Sequence, residues 1–576
     1  MSASAFPRRT AAFTDAYFLA SSSARRGRLN ASSRITLPFI SQTTRRMAGW
    51  GCFLSDLDGH NARHPTNWIL HQDSMDAQEK TSVSVEEQQQ QAPLKLDHHG
   101  LPLVPQPSDD PEDPLNYSRA QKYLIVCIVS LVSFFGLVNL SMMNHPYAQV
   151  GLALGVSVIE ASYIGTIGIA SAGIGSFIWA PLSNVYGRRP VLIASQAIAI
   201  AAGFGSAFAT SYGTLVVGRF FVGLGVASGN VVCFAVVSDV FCLHERGKML
   251  GIVTVALING PHVASLPGGF IAQNVSWRWT LILPAICTTV CWVLIVVALP
   301  ETVYIRADPK SQAAAKPILA KHHPRWRLRL TGSGGPGPRR SLQLMDFVRP
   351  FQMLKYFPIV ALGLYAAVAF TLGSVMPAQT VSALFRNFYG WRSARTGVAL
   401  SVSTTVGGVL GEVVAGPVID KLLERSRKRE GRVRPEVRLH GIWPAVVLLP
   451  AGLLIFGFSI HNNEAKNSYV GATVGMAITC FAVQVVTTPV IAYCVDCYKP
   501  QAAEVVQLLN FARQEISFTV GFWSLRFGEH EGVGFHLSGV TYACVATAFF
   551  IPVFVIMIYG ERIRARLGEP TFNKGL

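Results

Sequence analysis

Long apolar runs separated by short polar connections dominate the chain from residue 123 onward. Each run holds about 20 residues, the length of helix that crosses a bilayer, and few runs alternate as a barrel strand does. Because backbone groups in lipid must be satisfied within their own segment, we predict transmembrane helices. The runs form two sets of six: 123–143, 162–183, 191–210, 215–237, 249–272 and 281–299, then 359–381, 396–419, 442–460, 470–493, 503–525 and 540–559.

Composition and charge agree with lipid as the solvent. Only 14% of the 576 residues are charged, and the mean hydropathy is +0.37, whereas soluble domains carry about 25% charged residues. The excess of basic residues, 49 Lys and Arg against 32 Asp and Glu, is concentrated in alternate connections. By the positive-inside rule these connections and both termini face the cytosol, which argues against nucleic acid as a partner.

One phrase of the sequence occurs twice, 236 residues apart, as GSFIWAPLSNVYGRRP and GEVVAGPVIDKLLERS. The copies fall on the second and eighth predicted helices, each before a basic turn. Two parallel six-helix halves that rock about a central site are one plan for alternating-access transporters. The repeat therefore predicts an internal duplication in which both copies close the cytosolic side. The matched positions are Gly175 and Gly411, Pro181 and Pro417, and Asn184 and Asp420.

Several motifs resemble those of the major facilitator superfamily. The first copy of the repeated phrase is similar to the family's loop between the second and third helices. LVVGRFFVGLGVASG is similar to its fourth-helix motif, and NGPHVASLPGGFIAQNVSWRW to its fifth-helix motif associated with antiporters. Together with LPLVPQPSDDPEDPLNYS, LPET, RPEVRL and YCVDCY, they resemble the fungal drug:proton antiporter branch with twelve helices. The resemblance implies an all-α membrane protein of two pseudo-symmetric six-helix bundles.

The sequence departs from the family pattern in two motifs. Asn184 stands where the loop motif usually has an acid, although Asp239 could pair with the neighbouring arginines. Ala264 and Ser265 stand where the fifth-helix motif has a second Gly-Pro pair. The predicted gate comprises Gly175, Pro181, Asn184, Gly187, Arg188, Arg189, Asp239, Gly411, Pro417, Asp420 and Asp496, and the antiporter-like motif comprises Gly260, Pro261, Gly268 and Gly269.

Ionisable residues within the predicted helices are the strongest leads to function, because a charge at the bilayer centre costs at least about 2.5 to 3.5 kcal/mol on insertion scales. The resemblance implies that Arg219 is a cavity-facing cation linked to proton transfer. Its alternative is a structural pair with a polar group on the first helix. Glu412 is either a proton acceptor or a carboxylate in the wet cytosolic mouth. The other proton-coupling candidates are Arg513, Glu515 and His262, and the candidates for the cavity lining are Asn139, Tyr365 and Gln484.

We expect a secondary active transporter, not an enzyme, that exports a small organic molecule such as a drug, toxin or secondary metabolite by proton antiport. The sequence has no phosphate loop or nucleophile motif, and Cys494 and Cys497 lack a second pair, so we expect no cofactor and no metal. The expected partners are the substrate, protons and the lipid bilayer. We expect a monomer that crosses the plasma membrane many times. Two alternatives stay open: an uptake symporter for a polyamine or nutrient, and a membrane sensor that moves nothing.

The predicted domains follow the two sets of helices. Met75 is an alternative translation start within the first segment, which has the composition of a polar tail. We predict a disordered cytosolic tail at 1–121, a six-helix bundle at 122–302, a cytosolic linker at 303–355, a second bundle at 356–560 and a cytosolic tail at 561–576.

Overall fold

The computed structural model describes residues 95, 103–304, 341–430, 434–464, 467–498, 501–530 and 532–568. This part of the chain forms two sets of six membrane-spanning segments, which we number α1 to α12. The first set is α1 Arg119–Ser141, α2 Val158–Tyr186, α3 Arg188–Ala207, α4 Tyr212–Val240, α5 Leu243–Asn274 and α6 Trp279–Ala298. The second set is α7 Phe357–Tyr389, α8 Ser393–Glu430, α9 Trp443–His461, α10 Ser468–Cys497, α11 Ala502–Phe518 with Val520–Glu529, and α12 Gly534–Leu567.

Three of the segments in the second set, α7, α11 and α12, are interrupted, the last at Phe549. In α11, Thr519 separates helices of 17 and 10 residues, and among the described residues the other 11 segments are long and apolar enough to be candidate spans. In α7 a π-helical turn, Thr371–Val375, joins Phe357–Phe370 to Met376–Tyr389. A π turn leaves carbonyl groups without their usual partners and is often found at functional sites.

The helices extend beyond the apolar runs that predicted them. Helix α2 begins at a capping box in which Ser157 and Glu160 bond each other's backbone amides, and α1 begins at a similar box of Ser118 and Gln121. Helix α8 continues to Glu430, well past residue 419. Pro181 and Pro417 do not end their helices. An apolar run marks only the part of a helix in lipid, so its polar end turns are missed.

Parts of the predicted tail and linker are folded. The carbonyl of Val104 accepts a hydrogen bond from Leu243 N at 2.8 Å, and Asp110 accepts one from the Tyr304 hydroxyl at 3.0 Å. In the linker a short helix, Met345–Gln352, follows residues 305–340, which lie outside the described residues. The segment before α1 therefore lies against the end of the first six helices.

The repeated phrase marks two equivalent helix crossings. A Cβ atom on Gly175 would lie 2.6 Å from Ala227 Cβ and 2.8 Å from the Leu224 carbonyl oxygen, so α2 touches α4 there. A Cβ atom on Gly411 would lie 2.7 Å from the Phe481 carbonyl oxygen, so α8 touches α10. Small residues let helices approach this closely in lipid. The two halves are thus built on the same crossing, as the internal repeat predicts.

The two halves meet along two seams. In one, Gln507 of α11 donates to the Ser176 carbonyl of α2 at 3.1 Å. In the other, α5 lies against α8 so closely that a Cβ atom on Gly269 would be 2.5 Å from the Ser393 carbonyl oxygen. We call the end of the molecule that carries Arg188, Arg438 and Arg564 the basic end, and the end that carries Tyr163, Gln273 and Ala394 the opposite end.

The crossings predict opposite effects of adding one methyl group. Gly175→Ala and Gly411→Ala force backbone atoms apart, and we expect each to cost about 1 to 3 kcal/mol, as overpacking does. Gly205→Ala and Gly416→Ala are matched controls, because nothing lies within 4 Å of a Cβ atom at either helical position. Thermal unfolding in detergent should show lower melting temperatures for the first pair only. Equal melting temperatures in all four variants would contradict the crossings.

Candidate functional site

At the basic end of the first half, Arg188 joins three elements. Its Nε donates to Asp239 Oδ2 of α4 at 3.0 Å, and its guanidinium also bonds the side chains of Ser183, at 2.9 Å, and Asn184. Asn184 therefore acts as a neutral acceptor where the related motif has an acid. The predicted pairing of Asp239 with an arginine is present in the structure.

The carboxylate of Glu301, just after α6, binds the start of α3. It accepts hydrogen bonds from the backbone amides of Arg188, at 2.9 Å, and Arg189, at 3.1 Å. Gly187 allows this approach, since its φ is 108° and a Cβ atom there would lie 2.5 Å from Glu301 Oε2. Burial raises the pKa of Glu301, while the backbone hydrogen bonds act in the opposite direction. A carboxylate at a helix N-terminus is favourable because the helix dipole is positive there.

The second half has two ion pairs at the basic end. Arg438 contacts Asp496 of α10 through Nε at 2.8 Å and a terminal nitrogen at 2.7 Å. The buried Glu436 accepts from Arg564 Nε of α12 at 3.1 Å. Charged side chains therefore hold the helix ends of each half together. The contacts of Asp239, Glu301, Asp496 and Glu436 described above all lie within one half and not between the halves.

Asp420 does not occupy the place that the repeat suggested. Its side chain is exposed on α8, ten positions before the helix ends at Glu430, and the described residues include no ion pair for it. Helix α8 continues to Glu430, whereas α2 ends at Tyr186, two residues after Asn184, so no turn directly follows Asp420. Asp496 carries the corresponding charge in the second half.

Arg219 is fully buried and binds the first helix. Its two terminal nitrogens donate to the carbonyl oxygens of Asn139 and Leu140, at 2.9 and 2.8 Å, near the end of α1. These contacts agree with the alternative interpretation of Arg219, a structural pairing with polar groups of the first helix. The Asn139 amide is buried beside α3 and has no hydrogen-bond partner in the described part of the chain.

His262 lies at the seam between α5 and the second half. Its Nε2 is 3.2 Å from the Ser374 hydroxyl in the π turn of α7, and its Nδ1 is buried without a hydrogen-bond partner among the described residues. On the other side the ring faces α8, where a Cβ atom on Gly408 would be 3.3 Å from Nδ1. An imidazole with one free ring nitrogen can accept or release a proton.

Gln484 and Glu412 continue this polar layer toward the basic end. The Gln484 amide nitrogen would lie 3.9 Å from a Cβ atom on Gly408, beside His262. One helical turn further, Glu412 Oε2 accepts a hydrogen bond from the Thr488 hydroxyl of α10 at 3.2 Å. The structure therefore brings His262 and Gln484 together at Gly408 and places Glu412 one helical turn further along α8. We call these three and Ser374 the seam cluster.

The π turn adds a second contact between the seam cluster and α10 and ties the cluster to α11. Because the turn frees the Gly373 carbonyl, that oxygen accepts from the Thr479 hydroxyl of α10 at 2.9 Å. Thr371 lies 2.9 Å from the Ser517 hydroxyl of α11. A movement of the π turn at Ser374 would therefore change contacts with α10 and α11 as well as the contact with α5.

The other candidates lie apart from the seam cluster. Arg513 places its guanidinium over the Phe370 ring at 4.6 Å, and Glu515 points at Gly173 of α2. No ion pair joins Arg513 and Glu515 among the described residues, and Asp496 is bound to Arg438 instead. Tyr365 packs on Phe550 of α12 with ring centroids 5.7 Å apart, so it belongs to the packing of the second half.

The antiporter-like motif is a packing surface of α5. A Cβ atom on Gly260 would be 2.6 Å from the Phe134 carbonyl oxygen, and one on Gly268 would be 2.8 Å from that of Met142, both on or after α1. Gly269 faces α8 instead. Pro261 lies within α5, which continues to Asn274. These residues hold α5 between the two halves and so place His262 at the seam.

Comparison with known proteins decides the family. The model of the Major Facilitator Superfamily matches residues 126–522, which include both six-helix sets up to α11. The chain belongs to this superfamily. Its fold is therefore that of a transporter family, as the motifs implied.

The chain is similar to fungal superfamily members that are named as transporters and pumps. It is 29% identical over 467 residues to "MFS transporter fsa7" of a Fusarium species, covering 79% of this chain and 88% of the relative. It is 25% identical to "Efflux pump radE" of Floropilus chiversii, covering 79% and 84%. It is 28% identical to "MFS-type efflux pump MFS2" of Trichophyton rubrum, covering 79% and 75%.

Two solved structures share the fold. A D-xylose-proton symporter superposes with a TM-score of 0.53 at 16% identity, over 79% of this chain and 99% of the other. A bacterial homologue of the human lysosomal transporter Spinster superposes with a TM-score of 0.52 at 13% identity, over 79% and 100%. These likenesses concern the fold alone.

Sequence reasoning on this superfamily member missed four residues of the basic end. Glu301, Glu436, Arg438 and Arg564 lie in or near the motifs LPET, RPEVRL and the C-terminal basic run, but none was selected as a site residue. Their signal was available: acids placed at helix ends inside basic connections are candidates for ion pairs. What the sequence lacked was the pairing between distant segments.

The ion pairs predict which acids matter. Asp239→Asn and Asp496→Asn each remove a charged hydrogen bond, and we expect initial transport rates about fivefold lower, the factor that about 1 kcal/mol corresponds to. Asp420→Asn is the control, since the exposed carboxylate should change the rate little. Rates in membrane vesicles are compared at equal protein level. A loss for Asp420→Asn equal to that for Asp496→Asn would contradict this assignment.

Proposed function

We propose that this protein exports a small, partly apolar organic molecule in exchange for protons, with the basic end and both termini in the cytosol. The seam cluster is the observation that carries the proposal. It places a histidine and a carboxylate inside the membrane, on opposite halves of a duplicated fold. Ionisable groups at such positions are expected to serve ions or substrates.

The position of the cluster supports coupling between proton binding and rocking of the halves. His262 belongs to the first half, whereas Ser374, Gln484 and Glu412 belong to the second. Movement of the halves changes the surroundings of each group, and the two arrangements therefore hold a proton with different affinity. A proton bound more tightly in one arrangement shifts the molecule toward it, which is what antiport requires.

The contacts at the two ends support alternation between an outer and an inner opening. At the opposite end, Gln273 of α5 accepts from the Ala394 amide of α8 at 3.1 Å, and Arg526 of α11 donates to the Tyr163 hydroxyl of α2 at 3.1 Å. Toward the basic end, the described α5–α8 contacts include His262 at Gly408, near the middle of both helices. We infer that this arrangement is closed to the outside.

Export is supported by the similarity to fungal proteins named efflux pumps, and the basic connections support a cytosolic basic end. A drug, toxin or secondary metabolite fits an apolar seam with few polar groups. We place the protein in the plasma membrane as a monomer.

The seam cluster predicts a separation of proton coupling from substrate movement. Glu412→Gln and His262→Gln keep the size of each side chain but remove its proton site, so uptake into inside-out vesicles driven by an acid interior should fall at least about tenfold. Counterflow of labelled against unlabelled substrate needs no net proton transfer and should continue. The substrate is the best-transported compound from an accumulation screen in cells with and without the protein.

Ser162→Ala is a matched control, because this α2 hydroxyl bonds its own helix at Ile159 and should leave both rates unchanged. Proton-driven uptake that survives in Glu412→Gln and His262→Gln would overturn the assignment of the seam cluster. Accumulation in right-side-out vesicles with acid outside would indicate the uptake symporter, and absence of flux in a compound-binding protein would indicate the sensor.

A further inference from the structure

A short buried segment closes the opposite end between the halves. Residues 142–147, which follow α1, are all buried. The segment lies against α5, where Gly268 faces the Met142 carbonyl, and against α6, where Thr280 donates to Met143 Sδ at 3.4 Å. The second half contacts it through α7, because the Ser382 hydroxyl donates to the His145 carbonyl oxygen at 3.1 Å.

Two side chains at this contact are buried without partners. His145 and Gln379 are each 3% exposed, and both ring nitrogens of His145 and both amide atoms of Gln379 lack a hydrogen bond in the described residues. Gln379 lies one helical turn before Ser382 on α7. Unpaired buried polar groups are rare in folded proteins, since each costs about 1 to 3 kcal/mol. This closed arrangement therefore carries a cost that opening relieves.

In the described part of the chain, no acidic side chain contacts His145. The Tyr147 hydroxyl donates to Asn144 at 2.8 Å, and Arg219 of α4 is bound to the Asn139 and Leu140 carbonyls. Arg278, before α6, is bound to the Ala207 and Ala209 carbonyls. The described contacts of α5 and α7 with the segment include Gly268, Ala264 and Ser382, which carry no charge. A proton on His145 would have no acid to bind in this arrangement.

We propose that His145 is the proton-entry residue of the outer gate: it is neutral and buried when the halves are closed, and it binds an extracellular proton when Ser382 and Gln379 move away. Burial lowers the pKa of the His145 imidazole to about 4, whereas an exposed histidine titrates near 6.5. At a pH between these two pKa values, His145 holds a proton in the open arrangement more often than in the closed one. Lowering the external pH through this window therefore favours opening, by about 25-fold between pH 7.5 and 5.

This inference rests on the proposed orientation, with the opposite end outside, and it concerns a residue that the seam cluster does not include. Opening can be measured without any substrate. We use the full chain with Ser382→Cys in right-side-out vesicles and a membrane-impermeant maleimide, and subtract the labelling of the protein without the added cysteine. The labelling rate is divided by that of Leu152→Cys, which is 84% exposed at the same end, because thiol reactivity itself changes with pH.

The normalised labelling of Ser382→Cys should rise at least about threefold when the external pH falls from 7.5 to 5. The rise should vanish when His145→Gln or His145→Asn is added. His536→Gln should retain the rise, because this histidine lies against His461 within the second half.

If the Ser382→Cys protein that retains His145 shows a normalised labelling rate independent of pH, the proposal is wrong, whatever His145→Gln and His145→Asn show. An equal rise in His145→Gln or His145→Asn would also overturn it. Because no substrate is present, a His145-dependent rise in a protein that exports nothing would leave this inference standing while rejecting the proposed function.

Discussion

Where α5 crosses α8, the two backbones nearly touch: a Cβ atom on Gly269 would lie 2.5 Å from the Ser393 carbonyl oxygen and 3.0 Å from Gly397 Cα. In lipid, where apolar side chains gain little by leaving the solvent, such close backbone packing is a main source of helix association. The crossing sets the distance between the halves toward the opposite end of the molecule. It is the reason that His262 faces Gly408 and reaches Ser374.

The buried polar side chains differ in how many of their polar atoms have hydrogen-bond partners. Arg219 and the ion pairs at the basic end have partners within their own half, so they fix the shape of each half as a unit. His262, His145 and Gln379 lie between the halves and lack partners for some or all of their polar atoms. A molecule that rocks must keep its permanent bonds inside each half and its weak or unsatisfied ones at the seams.

The sequence predicted the helices, their two sets and the family, because apolar run length and short motifs are local properties. It also predicted the partnership of Arg188 with Asp239, which lie at two ends of adjacent helices. It did not predict the seam cluster, since His262, Ser374 and Gln484 come from three distant segments. The π turn was also missed, because the residues of Thr371–Val375 look like ordinary helix in an apolar run.

Asp420 and Asn184 occupy matched positions of the repeat but have different surroundings. The glycines of the two copies make the same crossing, but α8 stays helical where α2 ends, so the following polar residue meets different surroundings. Local likeness predicts backbone contacts more reliably than side-chain partners.

Proton movement in the opposite direction to substrate tests the central claim most directly. The purified protein is placed in liposomes with a pH-sensitive dye trapped inside, and a gradient of transported compound is imposed with no initial pH difference. We predict that compound leaving through the protein drives protons inward, so that the interior becomes acid, and that a proton ionophore abolishes the change. Substrate flux at full rate with no change in internal pH, or with the interior becoming alkaline, would contradict it.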